Sequence, residues 1–189
     1  QPDTPELYFC RDLKGYGWCF LKGDYLNVGI GREGEKQLSA VREEFTDFLD
    51  QQGRVPKEII GKFKGHAYRL YGSQKRTIID DGVLLIGDAI GMASPQSGEG
   101  IRPAVETGLI AADVIRKCQQ DYGKDRLMVY REKILDRFGE WADTSRPSVL
   151  PAVFRQFLGR WFMSSQWFTR KVLLDRWFLQ KHLPPLIRN

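Results

Sequence analysis

The sequence predicts a mixed α/β fold of the α+β kind, and three stretches carry that expectation. "GYGWCFLKGDYLNVGIG" holds two aromatic and β-branched runs around "KGD", the pattern of a β-hairpin. "EKQLSAVREEFTDFLDQQG" repeats apolar residues at helical spacing. "GVLLIGDAIGMASPQSGEGI" runs from an apolar strand through a glycine-rich loop into a further helix.

In chain order, the hairpin spans roughly residues 15–31, and the helix at about 35–52 carries Leu38, Val41, Phe45, Phe48 and Leu49 on its apolar face, with Gly53 as its stop. Residues 54–80 are mixed, and "GHAYRLYG" reads as a strand. Val83, Leu84, Leu85 and Ile86 lack polar alternation, so a strand buried on both faces is expected. The next helix starts near Gly100, tolerates Pro103 in its first turn, and carries Ala104, Gly108, Ala111 and Ala112 as a small-residue face. Leu127, Ile134, Leu135, Phe138 and Trp141 mark another helix, broken by Ser145-Arg146-Pro147 and Pro151. An aromatic, basic helical tail follows. The division expected is a sheet-and-helix domain at 1–80, a strand–loop–helix element at 81–120 and a helical region at 121–189.

"GIGREG" at 29–34 matches the dinucleotide-binding pattern G-x-G-x-x-G letter for letter. That fingerprint needs a following helix and then a second strand ending near an acidic residue. The helix is present, but "RVPKEIIGKFKGHAYRL" supplies no such strand, and Arg32 and Glu33 put charges inside the supposed turn. The glycines therefore read as residues at a strand end.

At 189 residues, 42% apolar and 28% charged, the chain is long enough for a sizeable core and is not of disordered composition. Cys10, Cys19 and Cys118 form no C-x-x-C pair, and His66 and His182 are the only histidines, so no metal site is expected and a reduced cytoplasmic setting is the default. No apolar run reaches about 18 residues, and no signal peptide is read at "QPDTPELYFC", which begins as if cut from something longer. The net charge of +5 is uneven: residues 150–189 carry +6 and residues 1–149 carry −1. A basic surface at one end is expected, without a nucleic-acid motif to go with it.

The chemistry concentrates at residues 87–101. Asp88 follows an apolar strand, and a carboxylate there needs solvent or a partner. Gly87, Gly91, Gly98 and Gly100, with Pro95, form a loop in which backbone amides can approach a ligand. The helix start adds unpaired amides and about half a positive charge. Together these features describe a docking station for a polar cofactor.

"GVLLIGDAIGMASPQSGEGI" resembles the second flavin-binding motif of the FAD-dependent oxidoreductases with the para-hydroxybenzoate hydroxylase fold, and most of all the geranylgeranyl reductase family. The resemblance implies FAD as cofactor, with Gly87, Asp88, Ala89, Gly91, Pro95, Gly98, Gly100 and Ile101 binding it and Asp88 on the ribityl chain. The helix dipole would stabilise negative charge on the reduced flavin. A second motif of that family, Y-x-W-x-F-P followed by G-x-G, is similar to Tyr16, Trp18, Phe20, Gly29 and Gly31, with Leu21 where the family has proline. It implies that these five residues bind substrate. On a strand Tyr16, Trp18 and Phe20 share one face, and plain core packing and an aromatic wall for an apolar substrate both stay open.

The resemblance covers roughly residues 8–120 and implies the C-terminal part of a two-domain FAD-binding flavoprotein, without the βαβ unit that holds the ADP half. The activity implied is reduction of carbon–carbon double bonds in an isoprenoid or similar apolar substrate by hydride transfer from reduced flavin. Other readings are a monooxygenase or halogenase of the same fold, or a non-catalytic module for membrane or protein contact. No catalytic residue is assigned; Cys19, Tyr16 and Glu99 are the conceivable proton donors. The substrate partner expected is an apolar molecule or isoprenoid lipid. For the tail at 152–181, core packing stands beside peripheral membrane contact.

Overall fold

The computed structural model describes residues 6–34, 38–56, 58, 61, 63–73, 76–140, 159 and 161–184. The chain divides into two compact units, Gln1–His66 with Ala152–Gly159, and Ala67–Pro151 with Arg160–Asn189. Strand and helix mix in both, as the sequence predicts.

The first unit is a three-stranded antiparallel sheet with one helix. Strands β1 (Glu6–Phe9), β2 (Gly15–Lys22) and β3 (Tyr25–Arg32) lie in that order. The predicted hairpin closes at the Lys22–Tyr25 pair, with Gly23 at φ +60° in the position that a primed two-residue turn reserves for glycine. Strand β1 was not read from the sequence; four residues leave too short a pattern to see. Helix α1 (Leu38–Gln51) buries Val41, Phe45 and Leu49, while Leu38 and Phe48 stay exposed. It stops where Gly53 turns to φ +63°, and Arg54 N–H donates to Leu49 O at 2.9 Å. Phe45, Leu49, Cys19 and Val55 form the core, flanked by Tyr8, Leu26, Val28 and Ile30. In "GIGREG" the charge of Arg32 finds a partner, its Nη2 meeting Asp12 Oδ2 at 2.8 Å, while the main chain at Glu33 is held by its N–H donating to Lys14 O at 2.8 Å.

The second unit carries two very short strands, β4 (Ile79–Asp80) and β5 (Val83–Leu84), joined antiparallel through a turn with Gly82 at φ +68°. A 3₁₀ turn, Gly87–Ile90, leads into the loop, and helices α2 (Ile101–Lys117) and α3 (Lys124–Phe138) follow. One turn of α-helix, Gln166–Phe168, runs into a π-helix, Thr169–Phe178. The core joins Ile78, Ile79, Ile90 and Met92 to Ile110, Val114, Leu127 and Ile134. Asp81 Oδ1 accepts the Lys124 N–H at 2.8 Å, so the β4–β5 turn caps the start of α3.

Three expectations need correction. Residues 65–72 form no strand: Leu70 makes a single parallel bridge to Ala93. The run Val83–Ile86 is not buried on both faces, since Val83 is 46% and Ile86 44% exposed and only Val83–Leu84 pairs. Among the described residues it lies in no wider sheet. Of the small-residue face on α2, Ala111 is buried but Ala112 is exposed, because neighbouring positions on a helix point about 100° apart. Trp141 and the break at 145–151 lie outside the described residues.

Candidate cofactor site

Polar ties that the sequence did not announce hold the strand end, Leu85–Gly87. Thr107 of α2 is fully buried; its Oγ1 accepts the Gly87 N–H at 3.0 Å and donates to Ala104 O at 3.0 Å. Tyr130 of α3, also fully buried, donates its hydroxyl to Leu85 O at 2.8 Å, and burial pushes its pKa well above the usual phenol range. A threonine among small residues in mid-helix was the only available signal for Thr107. Tyr130 gave none, since a tyrosine at an apolar helical position reads as core.

The loop then turns sharply. Gly87 has φ +55°, and a Cβ there would come within 3.1 Å of Ala104 Cβ, so conformation and space both call for glycine. Asp88 is exposed, and its main-chain oxygen accepts the Gly91 N–H at 3.0 Å. Ala89 is exposed too, and its oxygen accepts from Arg76 Nη1 at 2.9 Å. Gly98, at φ +67°, donates to Ser94 O at 2.8 Å, and Ser94 N–H donates to Glu99 O at 2.8 Å. The amides of Gly91 and Gly98 are therefore engaged within the loop, which narrows the expectation that loop amides face a ligand. Pro95 is exposed on the loop's outer side.

What opens outward is the start of α2. A Cβ on Gly100 would sit 3.5 Å from Asp88 Oδ1, which puts the carboxylate of Asp88 beside the helix N-terminus. Ile101 is 80% exposed, an unusual state for an isoleucine at a helix start. Glu99, weighed above only as a proton donor, acts as a cap: its Oε1 accepts the Arg102 N–H at 2.8 Å. Its Oε2 is buried with no hydrogen-bond partner among the described residues. An orphaned buried oxygen is costly and marks a place where a donor is missing. The Asp88 carboxylate beside Gly100 and the exposed Ile101 thus share the outward start of α2, a set that fits the hydroxyls and ring face of a flavin. Glu106, one turn further along α2, is buried; burial alone would raise its pKa, but hydrogen bonds from Arg137 and Arg102 outweigh that and hold it below the ordinary range.

In the first unit the structure places all five motif residues on one face of the sheet. Trp18 pairs with Gly29, and Tyr16 with Gly31. The Trp18 indole lies over Gly29, where a Cβ would come within 2.2 Å of Trp18 Cζ2, and its Nε1 donates to Asn27 Oδ1 at 2.7 Å. Tyr16 and Trp18 are 6.1 Å apart between ring centroids, and Phe9 extends the row at 5.8 Å from Tyr16. The face under α1 is the opposite one, where a Cβ on Gly17 would strike the Phe45 ring and where Cys19 is buried. The aromatic row is thus not part of the core that α1 covers. Cys19 lies on the wrong face to serve it, and burial, with Glu6 nearby, pushes its thiol up.

The two glycines should respond differently to substitution. Gly29→Ala must displace the indole and is expected to cost about 1–3 kcal/mol. Gly31→Ala, whose nearest neighbour would be Trp18 Cζ3 at 4.0 Å, should stay within about 0.5 kcal/mol. Urea denaturation followed by tryptophan fluorescence checks both; equal losses would mean the indole does not lie over Gly29.

Fold and site together define a mixed α/β protein with a glycine-loop and helix-start patch suited to a polar ligand. The comparisons narrow the class. The chain is similar in sequence to archaeal proteins named digeranylgeranylglycerophospholipid reductase. It is 36% identical over 132 residues to a digeranylgeranylglycerophospholipid reductase of Methanococcus vannielii, covering 68% of this chain and 34% of that protein. It is 33% identical over 141 residues to the enzyme of the same name from Methanocaldococcus jannaschii, covering 72% and 36%. The chain therefore spans about a third of the length of the curated relatives it matches. The crystal structure of a geranylgeranyl bacteriochlorophyll reductase-like protein from Thermoplasma acidophilum shares the fold, with a TM-score of 0.54 and 24% identity over 86% of this chain and 40% of that one. No family model matches the chain.

Proposed function

We propose that this chain supplies the isoalloxazine side of the FAD site and part of the substrate wall in an oxidoreductase that reduces isoprenoid carbon–carbon double bonds. It would correspond to the C-terminal part of a two-domain flavoprotein. The single observation that supports the cofactor assignment is the Asp88 carboxylate standing beside Gly100 at the start of α2, next to the exposed Ile101. The names of the relatives support the substrate class.

When bound and reduced, FAD would supply a hydride to one carbon of the double bond, and a proton from a side chain or solvent would complete the saturation at the other. The chain's own residues bind and orient. Asp88 would accept ribityl hydroxyls, the Ile101 side chain would lie against the ring system, and the helix dipole would favour negative charge at the ring edge. Tyr16, Trp18 and Phe20 would offer an apolar wall to the prenyl chain. Of the conceivable proton donors, Tyr16 stands on that wall and Glu99 at the cofactor patch, while Cys19 does not face either.

A chimera tests this reading. With this chain replacing the matching third of the Methanococcus vannielii reductase, the purified protein should carry flavin absorption bands and saturate prenyl double bonds, read as a gain of two hydrogens per bond. A folded chimera without flavin would defeat the cofactor assignment. The isolated chain should bind FAD only weakly, because the contacts to pyrophosphate and adenosine lie elsewhere. Titration showing sub-micromolar affinity would overturn the idea of half a site.

Peripheral membrane contact through 152–181, with an otherwise cytoplasmic protein, is the companion proposal. Trp161 and Trp167 are 64% and 68% exposed, and Arg170 and Lys171 stand among them, as a lipid interface would favour. Among the described residues no helix is long and apolar enough to cross a membrane. Residues 152–158 lie outside the described residues. Flotation with anionic liposomes at low salt should carry the protein upward; retention in the soluble fraction would assign the aromatics a packing role.

A further inference from the structure

The second unit holds a cavity of about 380 Å³, between the loop at Ser94–Gln96, the ends of α2 and α3, and the π-helix. That volume lies within the usual range for small-ligand pockets. Its inner wall is apolar: Tyr71 and Met92 are buried, and Phe138, Val172, Trp177 and Leu183 are half-buried. Its mouth is polar and basic, with Arg176 and His182 exposed there. Among the described residues no carboxylate lines it.

The charges around the cavity do not cancel. Arg137, which also lines it, is committed, since its Nε and Nη2 donate to the two oxygens of Glu106 at 2.9 Å. Asp175 is matched by Lys181 at 2.8 Å and Lys171 at 3.7 Å. Arg176 makes no ion pair among the described residues. The frame is fixed at the same time. Arg102 joins Glu106 at 2.8 Å and donates from Nη1 to Leu179 O at 3.2 Å, which ties α2 to the end of the π-helix. That helix bonds with the wide five-residue spacing, seen at Leu179 N–H to Leu174 O at 2.8 Å, and places Val172, Arg176 and Trp177 together on the cavity. Such turns are rare and frequent at functional sites.

We infer that this cavity is a binding site for an anionic amphiphile: an oxyanion head group at Arg176 and His182, with the first part of an apolar chain against Trp177, Phe138 and Val172. Guanidinium suits an oxyanion through paired, charge-assisted hydrogen bonds. The inference stands on these side chains and does not need flavin to be bound.

Calorimetric titration of the flavin-free chain, below the micelle concentration, tests it with octyl phosphate, octyl glucoside and inorganic phosphate. Octyl phosphate should bind saturably at one site. The neutral glycoside and inorganic phosphate should each bind at least about tenfold more weakly, since each lacks one half of the ligand. Arg176→Gln should weaken octyl phosphate about tenfold and leave octyl glucoside unchanged, and Arg176→Lys should recover part of the loss. Arg176 is exposed and makes no ion pair among the described residues, so its variants should fold, and circular dichroism checks it. Equal binding of the glycoside, equal binding of inorganic phosphate, an unaffected Arg176→Gln, or no saturable binding of octyl phosphate by folded protein would each overturn the inference.

Discussion

Glu106→Gln is expected to destabilise the second unit by about 3 kcal/mol at neutral pH, because it leaves two guanidinium groups without their carboxylate. The Glu106 side chain is 8% exposed and Arg137 13%, so solvent screens little; Arg102, at 32%, is better hydrated and keeps the loss at the lower end. The pH dependence follows from the sign of the shift. The folded-state pKa of Glu106 lies below its ordinary value of 4.5. Its stabilisation is therefore complete above the unfolded value and is lost as pH falls through the folded one. The gap between wild type and Glu106→Gln should be widest at pH 7 and should narrow on acidification below 4.5. Urea denaturation at several pH values reads this directly. A gap under about 1 kcal/mol at pH 7 would mean that the ion pairs are weaker than their burial indicates.

Asp88→Ala is expected to lower FAD affinity about 10–150-fold in the chimera that holds the complete site, through loss of a charge-assisted hydrogen bond worth about 1.5–3 kcal/mol. The turn itself should survive, since its closing bond uses the Asp88 main-chain oxygen. Asp88→Asn keeps an acceptor and should fall between the two. Flavin retention on gel filtration and a titration of the stripped protein give the numbers. Full retention in a folded Asp88→Ala protein would remove the residue from the cofactor site and leave it as a loop carboxylate.

The hairpin, α1, α2 and α3 were legible because each repeats one period over several turns or residue pairs, and Gly53 marked its helix end. The short strands were not. Four residues at β1 and two each at β4 and β5 carry no period, and the apolar run Val83–Ile86 looks the same whether one face is covered or two. The site divides in the same way. Asp88 and the loop glycines announce themselves by residue type, whereas Thr107, Tyr130 and the capping role of Glu99 depend on partners 20 and 45 residues away or on how a loop folds back.

By itself the sequence determined the local choices: where the backbone must turn to positive φ, which helix faces are apolar, and that a carboxylate follows an apolar run. Those depend on residues close in the chain, where sterics and periodicity act directly. Only the tertiary structure decided which face each motif serves. The register Trp18–Gly29 and Tyr16–Gly31 sets the aromatic row opposite α1, and a slip of one residue would have buried it instead. It also decided that Glu106 binds Arg137 of α3 as well as Arg102 of its own helix, and that Arg176 makes no ion pair among the described residues at the mouth of an apolar cavity. Charge balance of that kind is a sum over neighbours brought together by folding, and no spacing along the chain records it.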